Sequence, residues 1–141
     1  MSSRLANLAL NNGPLIAEPP DRDEFNGLRK SGLARLHDAA ISTLSLASRF
    51  DLAYNAAHAL CLAALRHCGY RARQRYIVFQ LVPDTLGLGP EVWRILARAH
   101  ELRNLGEYEG DLRVDQRFVA ELVIAAQAAA VALEKLAPPR V

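Results

Sequence analysis

Apolar residues along most of this chain recur every third or fourth position, the spacing that lines one side of a helix. Phe25, Leu28, Leu33, Leu36, Ala39, Ala40 and Leu44 form such a stripe and predict a helix over 21–46. Asp21, Asp23 and Glu24 suit its positive N-terminal end. Ser48-Arg49-Phe50-Asp51 reads as a break and restart, after which Leu52, Ala56, Ala59, Leu60, Ala63 and Ala64 carry a second helix over 50–68. Gly69 is a natural stop for it. Pro90 fits the first turn of a third helix, whose apolar set Val92, Trp93, Leu96, Ala97 and Leu102 runs to about residue 105, with Gly106 ending or bending it. A fourth helix is expected over 114–136, built on Phe118, Leu122, Ala125, Ala126, Ala129, Val131, Ala132 and Leu133 and ended by Pro138-Pro139. The run Tyr76–Val82 has strand-like propensity, but no second strand offers it a partner. It is therefore expected to be a short buried helix ending before Pro83.

These elements predict an all-α fold, an antiparallel four-helix bundle with one additional short helix. The bundle spans 21–137. Residues 1–20, with Asn11-Asn12-Gly13-Pro14 and Pro19-Pro20, form a partly extended arm in which a short helix over 4–10 fits, and 138–141 form a tail.

Composition agrees with one compact helical domain: 141 residues, 51% hydrophobic and rich in alanine and leucine. A net charge of +2 is too small for strong nonspecific attraction to nucleic acid, so any such role requires basic residues gathered on one face. Cys61 and Cys68 lie on one helix about 10 Å apart, beyond disulfide reach, and read as reduced packing residues. The first ten residues are too short and polar for a secretory signal, and no uninterrupted apolar run reaches membrane-spanning length. A cytoplasmic protein without membrane contact is the expectation.

Candidate chemistry gathers near the end of the third helix, in Leu102-Arg103-Asn104-Leu105-Gly106-Glu107-Tyr108-Glu109-Gly110-Asp111. The guanidinium of Arg103 and the amide of Asn104 can hold a phosphate, with Arg98 nearby, whereas a tyrosine hydroxyl is a poor acid or base near pH 7. The same residue types also fit a plainer reading, in which Arg103 and Asn104 cap the helix and Tyr108 packs as a half-buried ring over the turn. Glu107, Glu109 and Asp111 disfavour a phosphate beside Tyr108. His100 shares a helix face with Arg103, which allows a catalytic pair, although a packing or solvent-facing role suits it as well.

Arg66, Arg71, Arg73 and Arg75 with Tyr70 and Tyr76 interleaved make a second, basic and aromatic patch suited to single-stranded nucleic acid, or else a connection whose arginines pair with acidic residues of the first long helix or of the 107–111 turn. The four histidines show no metal-ligand spacing, and no phosphate loop or nucleophile motif occurs, so neither metal nor cofactor is expected.

Three features together resemble the HEPN domain family, small helical bundles that bind nucleotides or cleave RNA. They are the segment Asp51-Leu52-Ala53-Tyr54-Asn55-Ala56-Ala57-His58-Ala59-Leu60 with its Gly69-Tyr70 end, the central Phe79-Gln80-Leu81, and Leu102-Arg103-Asn104 followed by Glu107-Tyr108. The resemblance covers roughly residues 21–136. Many members carry an arginine followed after four to six residues by a histidine, and two copies of that motif meet across a dimer to cleave RNA without metal. Here the position five after Arg103 is Tyr108, so the imidazole that would shuttle protons near neutral pH is missing.

The resemblance implies a site of Arg103, Asn104 and Tyr108, with Arg98 and Tyr54, and a homodimer formed through the third helix. It further implies a binding or regulatory role in a toxin–antitoxin, nucleotidyltransferase-associated or defence system, toward RNA, a nucleotide or a partner protein such as a nucleotidyltransferase. Two alternatives stand beside it: a metal-independent ribonuclease using Arg103 with His100 or Tyr108, and a structural helical subunit of a larger complex whose arm orders on its partner.

Overall fold

The computed structural model describes residues 3–110 and 112–141; Asp111 of the acidic turn lies outside the described residues. In chain order the elements are α1 (Ser3–Leu8), β1 (Leu15–Ala17), α2 (Arg22–Ala39), α3 (Leu46–His67), β2 (Tyr70–Ala72), α4 (Arg75–Gln80), α5 (Val82–Thr85), α6 (Pro90–Glu109) and α7 (Gln116–Glu134). The protein is a helical bundle with one two-stranded ribbon among the described residues.

Helix α3 is the core: it packs against α2, α7, α4, α5, α6 and β2. Its alanines explain why so many neighbours fit. Ala53, Ala56, Ala57, Ala63 and Ala64 are all fully buried, and their short side chains let other helices approach closely. The closest approach is at Gly32 of α2, where a Cβ would lie 2.7 Å from Leu60 Cγ and 3.2 Å from the Ala56 carbonyl.

Helix boundaries depart from the periodic pattern where side chains cap the backbone. The helix expected over 21–46 ends at Ala39, and the next begins at Leu46 rather than at 50. Ile41, Ser42 and Thr43 are weak helix formers, and the Ser45 hydroxyl accepts the Ser48 N–H at 3.1 Å, which starts α3 there. Asp21 and Asp115 cap α2 and α7 in the same way, at 2.8 and 2.7 Å. Gly106 does not end the helix: α6 continues to Glu109 and stops at Gly110, whose φ is +75°. Gly106 instead leaves room for Leu112, which folds back to within 3.1 Å of where its Cβ would be.

The Tyr76–Val82 run is helical, as α4 and the start of α5. Pro83 stands in the first turn of α5 rather than marking an end. The strand pairing lies elsewhere: Leu15–Ala17 of the arm runs antiparallel to Tyr70–Ala72, with Ile16 opposite Arg71. Asn11 and Asn12, both at positive φ, turn the chain from α1 into β1. Leu5 and Leu15 are buried, so described arm residues pack on this chain's own bundle.

Arg66 locks that arrangement. Its side chain is 1% exposed, yet Nε donates to Glu24 Oε1 at 2.6 Å, one terminal nitrogen to the carbonyls of Glu18 (3.0 Å) and Tyr70 (3.3 Å), and the other to the Pro19 carbonyl (2.7 Å). Arg71 adds bonds to Glu18 (2.6 Å) and Glu24 (2.8 Å). The guanidinium pair holds both carboxylates below the ordinary glutamate range, Arg71 acting first on Glu18, and on Glu24 both arginines overcoming the opposing effect of burial.

Cys61 and Cys68 are free thiols; burial pushes Cys61 up to about 12 and Cys68 in the same direction. One described helix, α7, is long and apolar enough to cross a membrane by length and composition. Its apolar character has a local cause, because Leu122, Ala126, Ala129 and Leu133 fill the core against α3.

Arg66→Ala removes the donor to Glu24 Oε1 and to the carbonyls of Glu18, Pro19 and Tyr70 and is expected to destabilise the fold by about 3 kcal/mol or more, read from the urea midpoint. Two glycines of α2 should respond oppositely in the same measurement. Gly32→Ala forces the α2–α3 contact apart and should cost about 1–3 kcal/mol. Gly27→Ala meets nothing within 4 Å and should gain about 0.5–1 kcal/mol.

Candidate functional site

Polar residues stand out on three apolar helices and face one another. Helix α3 contributes Asp51, Tyr54, Asn55 and His58; α6 contributes His100, Arg103, Asn104 and Glu107; α4 contributes Arg75, Tyr76 and Phe79. Their spacings of three and four keep each set on one helix face.

At the centre is a hydrogen-bonded row. Tyr54 Oη lies 3.0 Å from His100 Nδ1, and Asn104 Nδ2 lies 3.1 Å from His100 Nε2. The Arg103 guanidinium sits over the Tyr54 ring, 5.0 Å from its centroid, and pairs with Glu107 at 3.0 Å. Tyr76 lies against the His100 ring at 5.1 Å, and Phe79 meets Tyr54 edge-on at 5.6 Å. Arg75 donates to Asn55 Oδ1 at 3.4 Å. Beside this row a cleft of about 540 Å³ is lined by Ala47, Asp51, Asn55, Arg103, Gly106, Glu107, Gly110 and Leu112.

Two imidazoles are held neutral here. Burial, then Arg75 and Arg103, and last His100, push His58 down to about 4. His100 is lowered by burial and by the same two arginines, against the opposing pull of Glu101 and Glu107. A neutral imidazole has one N–H and one lone pair. Asn104 donating to Nε2 leaves the proton on Nδ1, which then donates to Tyr54 Oη. Both nitrogens of His100 are therefore engaged, which suits it to orient Tyr54 and Asn104.

The structure brings together Tyr54, His100, Arg103 and Asn104. It separates Tyr108, whose ring is 92% exposed. Because α6 remains helical to Glu109, a step of five residues from Arg103 rotates about 140° around the axis and carries Tyr108 to another face. The same fact removes the plainer readings: Tyr108 is no half-buried turn closure, and Arg103 and Asn104 lie inside the helix rather than at its cap. Arg98 pairs instead with Glu101, at 3.3 Å.

Arg71, Arg73 and Arg75 line one cleft of about 180 Å³ together with His58. Arg71 also joins Glu18 and Glu24, Arg73 donates to the Gly13 carbonyl at 2.8 Å, and Arg75 and Tyr76 reach the His100 site. Asn55 and His58 were not among the expected site residues. Their signal was present in the sequence: Asp51, Asn55 and His58 put polar groups at helical spacing on an otherwise apolar helix. Among the described residues no three of His, Cys, Asp and Glu converge as a metal site requires.

No family model, no curated protein and no solved structure matches the chain.

Neutral burial of His58 links the site to stability. The unfolded imidazole titrates near 6.5 and the folded one near 4, so the stabilisation is complete above pH 6.5 and is lost as pH falls toward 4. Urea unfolding at pH 7 and pH 5 should show wild type losing on the order of 2 kcal/mol. His58→Gln should flatten that slope; an unchanged slope would place the titrating group elsewhere.

Proposed function

We propose that this chain is a HEPN-like binding protein that holds a phosphate-bearing ligand, an RNA strand or a nucleotide, on the face shared by α3, α4 and α6, without cleaving it. One observation carries the reading: Arg75 of α4 reaches Asn55 at 3.4 Å and Arg103 of α6 lies 5.0 Å from the ring centroid of Tyr54, so two guanidiniums from different helices meet adjacent residues of α3. The amides of Asn55 and Asn104 order the edges of that face, bonded to Arg75 and to His100, and Tyr76 offers a ring on which a base can stack. Asp51 and Glu107 border the adjoining cleft and limit how many phosphates it admits. A short anionic segment fits better than an extended backbone.

Restraint from catalysis follows from the protonation states. General acid–base cleavage near neutral pH needs a proton donor as well as an acceptor, and burial with the neighbouring arginines lowers both His58 and His100, which disfavours the protonated, donating form of each. Helices α2, α3, α6 and α7 supply the four long members of a HEPN-like bundle, with α4 and α5 as the short insertion. In this reading the protein serves as the binding or regulatory member of a toxin–antitoxin, nucleotidyltransferase-associated or defence pair.

Titration of a labelled oligoribonucleotide and of a nucleotide, followed by fluorescence polarisation, tests the reading. Arg75→Ala and Arg103→Ala should each weaken binding roughly tenfold or more, while the melting temperature stays within a few degrees of wild type. Affinity should fall as salt rises. RNA incubated with the protein in EDTA at pH 7 should remain intact, and Arg103-dependent cleavage would replace this reading with the ribonuclease.

A further inference from the structure

The cleft of about 180 Å³ beside His58 is too small for a whole ligand, since sites for small molecules run from roughly 300 Å³ upward, but it has room for one anionic group. Its charge is uneven. The nearby carboxylates, Glu18 and Glu24, bind Arg66 and Arg71, so two negative charges meet two positive ones. Arg73 and Arg75 also line the cleft and have no carboxylate partner among the described residues: Arg73 uses Nε on the Gly13 carbonyl, and Arg75 one terminal nitrogen on Asn55. The terminal nitrogens of Arg73 are left as donors. His58 makes no hydrogen bond among the described residues, and no buried side-chain nitrogen there lacks a partner, so its ring nitrogens open on the cleft it lines. A second cleft, of about 370 Å³, shares Arg73 and Gln74 with the first and is bordered by Tyr76 and Gln80. A ligand anchored in the small cleft thus continues past Arg73 toward the Tyr76 ring.

We propose that the small cleft seats a terminal phosphate, the monoester end of a nucleotide or of an RNA strand, between Arg73, Arg75 and His58. Charge decides for a monoester. It carries about 1.5 to 2 negative charges near pH 7, which the two guanidiniums without carboxylate partners match, whereas an internal diester carries one. Volume decides for an end, because an internal phosphate brings a sugar on either side into a space that holds a single group. Guanidiniums offer paired N–H donors to phosphate oxygens, and a neutral imidazole adds one N–H. Arg75 lines the cleft and is also bonded to Asn55 on the His100 face, so it joins the two places. The inference rests on the reading of the ligand as a nucleotide or RNA and adds which phosphate is recognised, and where.

Fluorescence polarisation of one short oligoribonucleotide in three forms, with a 5′-phosphate, with a 3′-phosphate or with hydroxyls at both ends, tests it on the full chain. One phosphorylated form should bind roughly tenfold or more tightly than the hydroxyl form. Arg73→Ala should bring that form down to the affinity of the hydroxyl form, whereas Arg103→Ala should weaken all three alike. Displacement by a nucleoside monophosphate and not by its nucleoside assigns the cleft to free nucleotides; a gap between the forms without such displacement assigns it to RNA ends. Arg73 also holds the arm at Gly13, so wild type supplies a second check: the His58 ring resonances should move with the phosphorylated oligoribonucleotide and stay in place with the hydroxyl form. Equal affinity for all three forms would overturn the proposal and leave the wider reading standing, as would a gap that Arg73→Ala preserves with His58 unmoved. Failure of every form and of the nucleoside monophosphate to bind would overturn both.

Discussion

A buried guanidinium governs how this chain closes on itself. Arg66 is 1% exposed near the end of α3, and taking an ion out of water to that depth is costly unless its donors are satisfied. Its partners come from several places: a carboxylate in the first turn of α2, the carbonyls of Glu18 and Pro19, and the carbonyl of Tyr70 in β2. The proline carbonyl matters because Pro19-Pro20 holds the segment extended and out of any helix. The arm is thus drawn to the end of α3, and with it β1, which fixes β2 beside it. Helix α4 starts three residues after β2 ends, so the same lock sets where Arg75 and Tyr76 stand relative to α6. A structural ion pair at one end of the bundle thereby positions the α4 side of the polar site.

The site itself depends on α3 having two characters. Its alanine-rich sides accept α2 and α7, and its remaining side carries Tyr54, Asn55 and His58 toward α4 and α6. Two arginines brought this close to two imidazoles make protonation of either histidine unfavourable, and burial acts in the same direction. Two guanidiniums and two imidazoles whose protonation is disfavoured thus share one face of the bundle.

Helical periodicity made the long helices legible from residues such as Leu36, Leu60, Leu96 and Leu122, which are buried as their spacing requires. What it could not register were effects of single polar atoms and of distant contacts. The Ser45 cap moved a helix start by one turn, and Leu112 gave Gly106 a packing reason rather than a terminating one. The ribbon was hidden because each strand has three residues, too few for an alternating pattern, and because its partners are separated by two long helices. At the site, Arg103, Asn104, His100 and Tyr54 were legible because i, i+3 and i+4 spacing joins three of them on one helix. Arg75 and Tyr76 were legible as a basic and aromatic group, but their meeting with His100 depends on tertiary closure that spacing does not encode.

Where α6 ends decides which chemistry Arg103 can join. Had the helix stopped near Gly106, the chain beyond could have turned residue 108 back toward the guanidinium, and a side chain five positions on would share its surroundings. The helix instead runs to Gly110, the first position whose positive φ breaks it, and Tyr108 is carried to solvent. The neighbours of Arg103 are then fixed by helical geometry as His100 and Glu107, one turn to either side, with Asn104 next in the chain. Of these, Glu107 neutralises part of the guanidinium charge, while His100 and Asn104 are occupied with each other and with Tyr54. The Arg103 guanidinium itself is held between Glu107 and the Tyr54 ring, 5.0 Å from the ring centroid.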